Sequence, residues 1–497
     1  MSETSYGKGR VNVRPGSNLR RIAARGTIIN AGFLVALQGL GLIRGFIVAI
    51  FLSPKDYGVW GLLVISLGTM LWLSQIGIDD KYIQQDYEDQ EEAFQVAFTL
   101  ETLLCLFFLL LICIVVPIFA LAYGTTRIIA PGLVLGLAML AVPLQTPIWV
   151  FYRRMDYMKQ RSLQALDPLT GFVLAVGLAV AGFGYWSLVI AQVCGAWVAA
   201  LAALHVSPYK LRFRRVGAVV RDYVSFSWPL LLGSSAGVIV AQVPILIAQR
   251  IDGVTAVGAV TLAGTISIYA SHMDDVVTST IYPAICAVKD RADLLFESFT
   301  KSNRMAILWG MPVGIGIVLF TPDLVHYVIG DKWDYAIPLV QIFGLIAGLN
   351  QIGFNWTAFY RAIGRTRPLA LVGGLMVVVT LGCAVPLLIS DGIKGFGVGM
   401  AASTYVAVCV RVYFLGALFP SFDITRHMVQ ALVPSLAAGA AVLLVRQLDG
   451  GIPGQAGAIC EVVLFLAVVA STTFVTQRPL MREFVGYLRG VRVAAPA

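Results

Sequence analysis

Charge is scarce in this chain. Asp, Glu, Lys and Arg make up 13% of its 497 residues, where soluble domains carry about 25%. Histidine is scarcer still, with four residues and none at metal-ligand spacing, so a structural zinc site is excluded. The seven cysteines (105, 113, 194, 286, 383, 409 and 460) include no Cys-x-x-Cys pair and all lie in or beside apolar segments. A disulfide framework is excluded too. No Gly-x-x-x-x-Gly-Lys loop is present to cradle nucleotide phosphates, so the chain does not hydrolyse ATP itself. Gly233, Ser235 and Gly237 have the Gly-x-Ser-x-Gly spacing of a hydrolase elbow, but they fall in an apolar helix and not at a strand-to-helix turn. No cofactor is implied.

What the chain has is apolar length. Hydrophobic residues make up 58% of it, and the mean hydropathy is +0.82. Apolar runs bounded by charge, Pro or Gly start near 27, 58, 93, 128, 163, 186, 223, 256, 305, 337, 368, 395, 428 and 456. Each is long enough to cross a ~30 Å hydrocarbon layer. The fold class is therefore all-α integral membrane, with about fourteen transmembrane helices.

The net charge of +9 would suggest nucleic acid in a soluble protein, but here basic cytosolic loops explain it. Of the 36 Lys and Arg residues, 28 fall on the side of the two termini and five on the other, with Arg44, Arg411 and Arg446 inside spans. Membrane proteins keep basic loops in the cytosol. Both termini are thus expected there, and no nucleic-acid partner is. The segment 79–92 holds seven acids against Lys81; short acidic loops scarcely oppose the rule, so it reads as a solvated cytosolic loop. Residues 1–26 carry six basic residues, but the apolar run that follows is too long for a signal-peptide core, so it is expected to stay as the first span.

A weak repeat appears at an offset of 200. Residues 47–63 align with 247–263 and match Gly58 to Gly258. Helix, short outer turn, Gly and helix recur in phase, which suggests two pseudo-symmetric six-helix lobes. The resulting organisation is a basic cytosolic tail (1–26), an N-lobe (27–205), a basic linker (206–222), a C-lobe (223–418), helices 13 and 14 within 428–476, and a basic tail (477–497). Prolines recur in or at the ends of the spans, freeing backbone groups that neighbours or cavity water must satisfy. Gly132/Gly136 and Gly344/Gly348 have the spacing of close helix packing.

Arg44 is the sharpest single feature. It stands in a run, 27–52, that is otherwise apolar but for Thr27, Asn30 and Gln38. At ~1.5 Å per residue it lies roughly 25 Å from the start of the run, too deep to snorkel easily. A charge at such depth costs at least ~2.5 kcal/mol unless it faces a cavity or a partner. Two readings stay open: a cavity site for an anionic substrate, or an ion pair to a neighbouring helix, with Glu101 in span 3 as a partner.

Other polar groups within spans divide in the same way. Span 8 repeats Ser267, Ser271, Asp275 and Ser279 every four residues, with Asp274 and His272 beside them. These acids either take up protons for ion coupling or pair with a buried arginine. Glu101, about 12 Å deep by helix rise, is a coupling candidate as well. Arg411 with Asn350, Gln351 and Asn355 forms a second polar group, read either as substrate contacts or as interhelical hydrogen bonds.

The stretches "FLSPKDYGVWGLL" (51–63), "FYRRMDYMKQRSLQALDP" (151–168), "GFGYWSLVIAQV" (182–193), "RIDGVTAVGAVTLA" (250–263) and "IGDKWDYAIPLVQI" (329–342) resemble the oligosaccharide flippases of bacterial polysaccharide biosynthesis. That family belongs to the exporter superfamily that also holds multidrug extruders and peptidoglycan-precursor flippases. The resemblance covers most of the chain through span 12. It implies a V-shaped transporter of the inner membrane, not an enzyme, that moves an undecaprenyl-pyrophosphate-linked repeat unit. The implied partners are that substrate, membrane lipids, and polysaccharide polymerase and export machinery. A pyrophosphate needs fixed cations in a desolvated site, and arginine's planar fork suits phosphate oxygens. Arg44 is then the first clamp, with Gln38, Arg411, Asn350 and Asn355 as further substrate contacts.

Overall fold

The computed structural model describes residues 18–74, 78–84, 88–154, 156–214, 242–267, 285, 291–365, 367–419, 424–448 and 454–478. All regular elements among them are helical, and the chain divides into two compact units, Met1–Gly258 and Ala259–Ala497.

The first unit contains α1 (Asn18–Phe51), α2 (Pro54–Ser74), α3 (Ile78–Gln84), α4 (Gln90–Tyr123), α5 (Ile129–Gly136), α6 (Pro147–Arg153), α7 (Tyr157–Val180) and α8 (Trp186–His205). A helix over 242–251 (α9) and the start of α10 (Gly253–Ser267) complete it. Local chemistry sets the ends. Pro54 opens α2, and Asp56 N–H donates to Ser53 Oγ at 3.2 Å. Asp89 caps α4 by accepting from the Glu91 and Glu92 amides, and Gly124, at φ 70°, ends it in the left-handed conformation that glycine adopts without strain.

The fourth apolar segment is broken. Short 3₁₀ turns, Leu137–Leu140 and Pro143–Gln145, separate α5 from α6, because Pro143 and Pro147 each supply no amide to the preceding turn. Gln145 Nε2 donates to the Ala196 carbonyl of α8 at 3.1 Å, which ties the break to a neighbouring helix. Gly132 and Gly136 face Val116 and Ile112 of α4 at distances a methyl would crowd, which is the close packing their spacing predicts.

The acidic segment near 79–92 differs from the solvated loop expected. Residues 78–84 form α3, with Tyr82 1% exposed and Ile78 5% exposed, packed with Phe94, Ala97 and Val150. Two apolar residues one turn apart suffice to seat it. Arg153 Nη1 then caps its final carbonyls, donating to Tyr82 at 2.7 Å and Ile83 at 3.2 Å. The basic linker also begins as structure: Gln95 Nε2 donates to the Lys210 carbonyl at 3.1 Å and Arg214 Nε to Gln95 Oε1 at 2.9 Å, holding residues 210–214 along α4.

The second unit contains most of α10, then α11 (Ala292–Leu324), α12 (Ile337–Leu349), α13 (Trp356–Ala362), α14 (Arg367–Leu418), α15 (Ile424–Leu448) and α16 (Gln455–Thr476). α14 is a hairpin. Asp391 and Gly392 leave helical geometry, Gly392 at φ 61°, and a Cβ at Gly395 or Gly399 would strike the backbone of Leu387 or Ala384. The turn falls at the outer connection expected between spans 11 and 12. Gly344 and Gly348 let α12 lie against Gly314 and Met311 of α11.

Nine helical stretches among the described residues are long and apolar enough to cross a membrane. The chain is a multi-pass membrane protein. Parts of spans 7 and 8 lie outside the described residues.

Candidate functional site

Arg44 lies on α1 and is half-buried. Gly171 of α7 lies beside it: a Cβ there would stand in ordinary contact, 3.5 Å from Arg44 Nη1 and 3.8 Å from the Ala191 carbonyl oxygen of α8. Asp167, one turn earlier on α7, interacts electrostatically with Arg44. Asp167 is itself seated on a second glycine, because a Cβ at Gly195 of α8 would strike its carboxylate and approach its carbonyl oxygen to 2.8 Å. Gly195 thus admits the carboxylate to the packing of α7 and α8, and Gly171 places the guanidinium of α1 against the same pair of helices. A side chain at 195 would displace the Asp167 carboxylate, whereas a Cβ at 171 would only touch the guanidinium at ordinary contact distance.

Asp167 was missed in the sequence, although a signal exists: it is an acid directly before Pro168 inside an apolar segment, with Gly171 four residues on. Glu101, offered as a partner for Arg44, is elsewhere engaged. It is 7% exposed, accepts a hydrogen bond from Cys105 Sγ at 3.7 Å on its own helix, and lies within electrostatic reach of Asp79. Gln38 is half-buried on α1.

In the second unit Arg411 of α14 holds the end of α12. Its Nη1 donates to the Asn350 carbonyl at 2.9 Å and its Nη2 to Asn350 Oδ1 at 3.2 Å. A cation at a helix C-terminus satisfies carbonyls that have no partner within the helix. Residues 350–355 are the break in the tenth apolar segment, with Gly353 at φ 65°. Asn355, 1% exposed, donates to Ser302 Oγ at 2.9 Å, and Asn303 donates to the Gln351 carbonyl at 2.9 Å. These amides therefore tie α11 to the break. His272, Asp274 and Asp275 lie outside the described residues.

A third charged cluster was legible only as isolated charges. Arg446 of α15 donates from Nε to Glu461 of α16 at 2.7 Å and from Nη2 to Asp323 of α11 at 2.6 Å. It also donates to the Leu319 carbonyl at 3.2 Å and lies over the Phe320 ring at 5.7 Å. One guanidinium ties α11, α15 and α16 together within the second unit.

The fourth and tenth apolar segments are both interrupted, at 137–146 and at 350–355. Paired interrupted helices of this kind mark transporter folds. Comparison with known proteins decides the family: residues 47–338, more than half of the chain, match the family described as polysaccharide biosynthesis protein. The chain belongs to that family.

Among relatives, this polysaccharide biosynthesis protein is 24% identical over 342 residues to the succinoglycan biosynthesis transport protein ExoT of Rhizobium meliloti (strain 1021), covering 66% of each chain. It is 22% identical over 348 residues to the lipopolysaccharide biosynthesis protein WzxC of Escherichia coli (strain K12), covering 68% of this chain and 69% of that one. The chain thus spans about two thirds of the length of these relatives. Its fold is similar to that of the lipid II flippase MurJ in an inward closed conformation, with a TM-score of 0.70 at 10% identity over 91% of this chain and all of that one. It is also similar to an inward-facing multidrug resistance MATE transporter, with a TM-score of 0.65 at 16% identity over 80% of this chain and 99% of that one. The polysaccharide biosynthesis protein therefore has a membrane-transporter fold.

Proposed function

We propose that this polysaccharide biosynthesis protein is a flippase that carries an undecaprenyl-pyrophosphate-linked oligosaccharide from the cytoplasmic to the periplasmic leaflet by alternating access. The observation that carries the reading is Arg44, a guanidinium inside an apolar helix, set beside Gly171 and within electrostatic reach of the Asp167 carboxylate. In the resting state Asp167 balances the charge, and a pyrophosphate with more acceptor oxygens in the same place competes for it. Gln38 would lie along the same helix. Arg411 and Asn350 hold the break in the tenth segment, and with Asn355 they offer a second polar site when that break rearranges. The relatives named for succinoglycan and lipopolysaccharide biosynthesis support a polysaccharide precursor as cargo, and the likeness to a lipid II flippase supports a lipid-linked one.

The protein is a transporter and not an enzyme. It resides in the bacterial inner membrane with both termini cytosolic, and the delivered unit passes to polysaccharide polymerase and export machinery. Glu101, with His272, Asp274 and Asp275, would couple transport to a proton or cation gradient. The likeness to a MATE transporter raises drug extrusion as a second reading, but an arginine at the centre of the candidate site selects anions and disfavours cationic drugs. The test is polymer export by Arg44→Lys and Arg44→Ala with the amount of protein in the membrane measured in parallel. Partial export by the lysine variant and none by the alanine variant, at equal abundance, is expected. Full export by Arg44→Ala would overturn the clamp.

A further inference from the structure

The cluster around Arg446 has a chemical remainder. Arg446 contributes one positive charge, while Asp323 and Glu461 contribute two negative ones, so the cluster carries a net charge of −1 with both carboxylates ionised. The two acids are not placed alike. Glu461 is 7% exposed at its side chain, whereas Asp323 is 28% exposed and forms part of the wall of a cavity of 380 Å³. The size falls within the ~300–1,000 Å³ of ligand sites.

The rest of that wall is almost wholly apolar. Phe320, Leu324 and Val328 come from α11 and the turn after it, and Ile459, Val462 and Val463 from α16; Gln455 and the Tyr327 hydroxyl are its neutral polar groups, and Asp323 is the one carboxylate. The opening is onto the outer surface of the unit, where Val328, Ile459 and Val463 are between 48% and 63% exposed. In a membrane protein such a surface meets lipid. A slot with apolar walls and one carboxylate, backed by an excess negative charge, is complementary to an amphiphile with a cationic head that can donate hydrogen bonds.

We infer that the cavity between the end of α11 and the start of α16 binds phosphatidylethanolamine, with its ammonium on Asp323 and one acyl chain between Phe320, Leu324 and Ile459. The ammonium neutralises the excess charge of the Arg446 cluster, and its hydrogen bond to a carboxylate is of the charge-assisted kind. An anionic head such as phosphatidylglycerol meets like charge at the same place and is disfavoured. The site is independent of Arg44 and belongs to the second unit alone, so it stands whatever the cargo.

The experiment is native mass spectrometry of the purified full-length protein from nanodiscs of equal parts phosphatidylethanolamine and phosphatidylglycerol. Retention of phosphatidylethanolamine about tenfold over phosphatidylglycerol is expected, the size of one charge-assisted hydrogen bond against its loss. Asp323→Asn should abolish that preference. Because this change also removes a partner of Arg446, a second variant, Ala458→Trp, fills the cavity without touching the cluster and should lower retention of phosphatidylethanolamine to the phosphatidylglycerol level. Equal retention of the two lipids by the unaltered protein overturns the inference. So does a preference that survives Ala458→Trp.

Discussion

Gly58 of α2 and Gly258 of α10, two hundred positions apart, each remove a side chain that would strike the other's helix. A Cβ at Gly58 would run into the Val254 carbonyl, and one at Gly258 into the Pro54 carbonyl. Pro54 and Val254 are separated by the same two hundred positions, so the contact is reciprocal. The first turns of the two helices, each holding a glycine, cross backbone to backbone as small residues allow in membrane helices.

Gly58→Ala or Gly258→Ala should therefore destabilise the protein by about 1–3 kcal/mol through overpacking against backbone, read as a lower melting temperature in detergent. The double variant should cost less than the sum, because one crossing is opened once. Unchanged melting of both single variants would show that the helices separate without cost.

For Arg44 the informative partner is Asp167. Asp167→Asn should leave an uncompensated cation and lower membrane abundance, and Arg44→Gln in the same chain should restore it. The restored protein should not export polymer. Export at the normal level by this doubly neutral variant would make the pair structural and remove Arg44 from substrate binding.

Arg446→Met should cost about 1–3 kcal/mol, less than the ~3–5 kcal/mol of a fully buried pair because Arg446 and Asp323 are partly exposed. Adding Glu461→Gln should recover part of the loss, since one fewer carboxylate is stranded. The check is thermal unfolding of the single and double variants. A double variant less stable than Arg446→Met would mean that Glu461 is held by contacts other than the arginine.

Cysteine substituted at Lys55, in the first turn of α2, or at Lys394, beside the bend in α14, should be labelled by an impermeant reagent from outside intact cells. Cysteine at Arg154 or Arg214 should be labelled only after lysis. Labelling at 154 from outside would reverse the orientation.

Glu101→Gln and Asp275→Asn test coupling. If a proton or cation gradient drives transport, each should reduce polymer export at unchanged abundance, and normal export by both would exclude an essential role for these acids. The Cys105 hydrogen bond to Glu101 survives the change to glutamine, which limits structural damage.

The sequence by itself determined that this is an α-helical membrane protein. Apolar runs of bilayer length are a local property, and the one-sided distribution of Lys and Arg is read along the chain without reference to contacts. It also located the hairpin turn in α14, because Gly392 and the charges beside it interrupt an apolar run. Arg44 stood out for the same reason: the cost of a charge at that depth depends on position in the run alone. What a charge touches depends on helix packing, and only the tertiary structure decided that. It gave Arg44 to Asp167 and not to Glu101, because Gly195 of α8 leaves space for the Asp167 carboxylate on α7 beside α1, which no periodicity within α1 announces. It joined Arg446, Asp323 and Glu461, drawn from three segments far apart in the chain, into one cluster. It turned part of an acidic loop into α3, because Ile78 and Tyr82 found an apolar surface on α4 and α6 that exists only once those helices have packed.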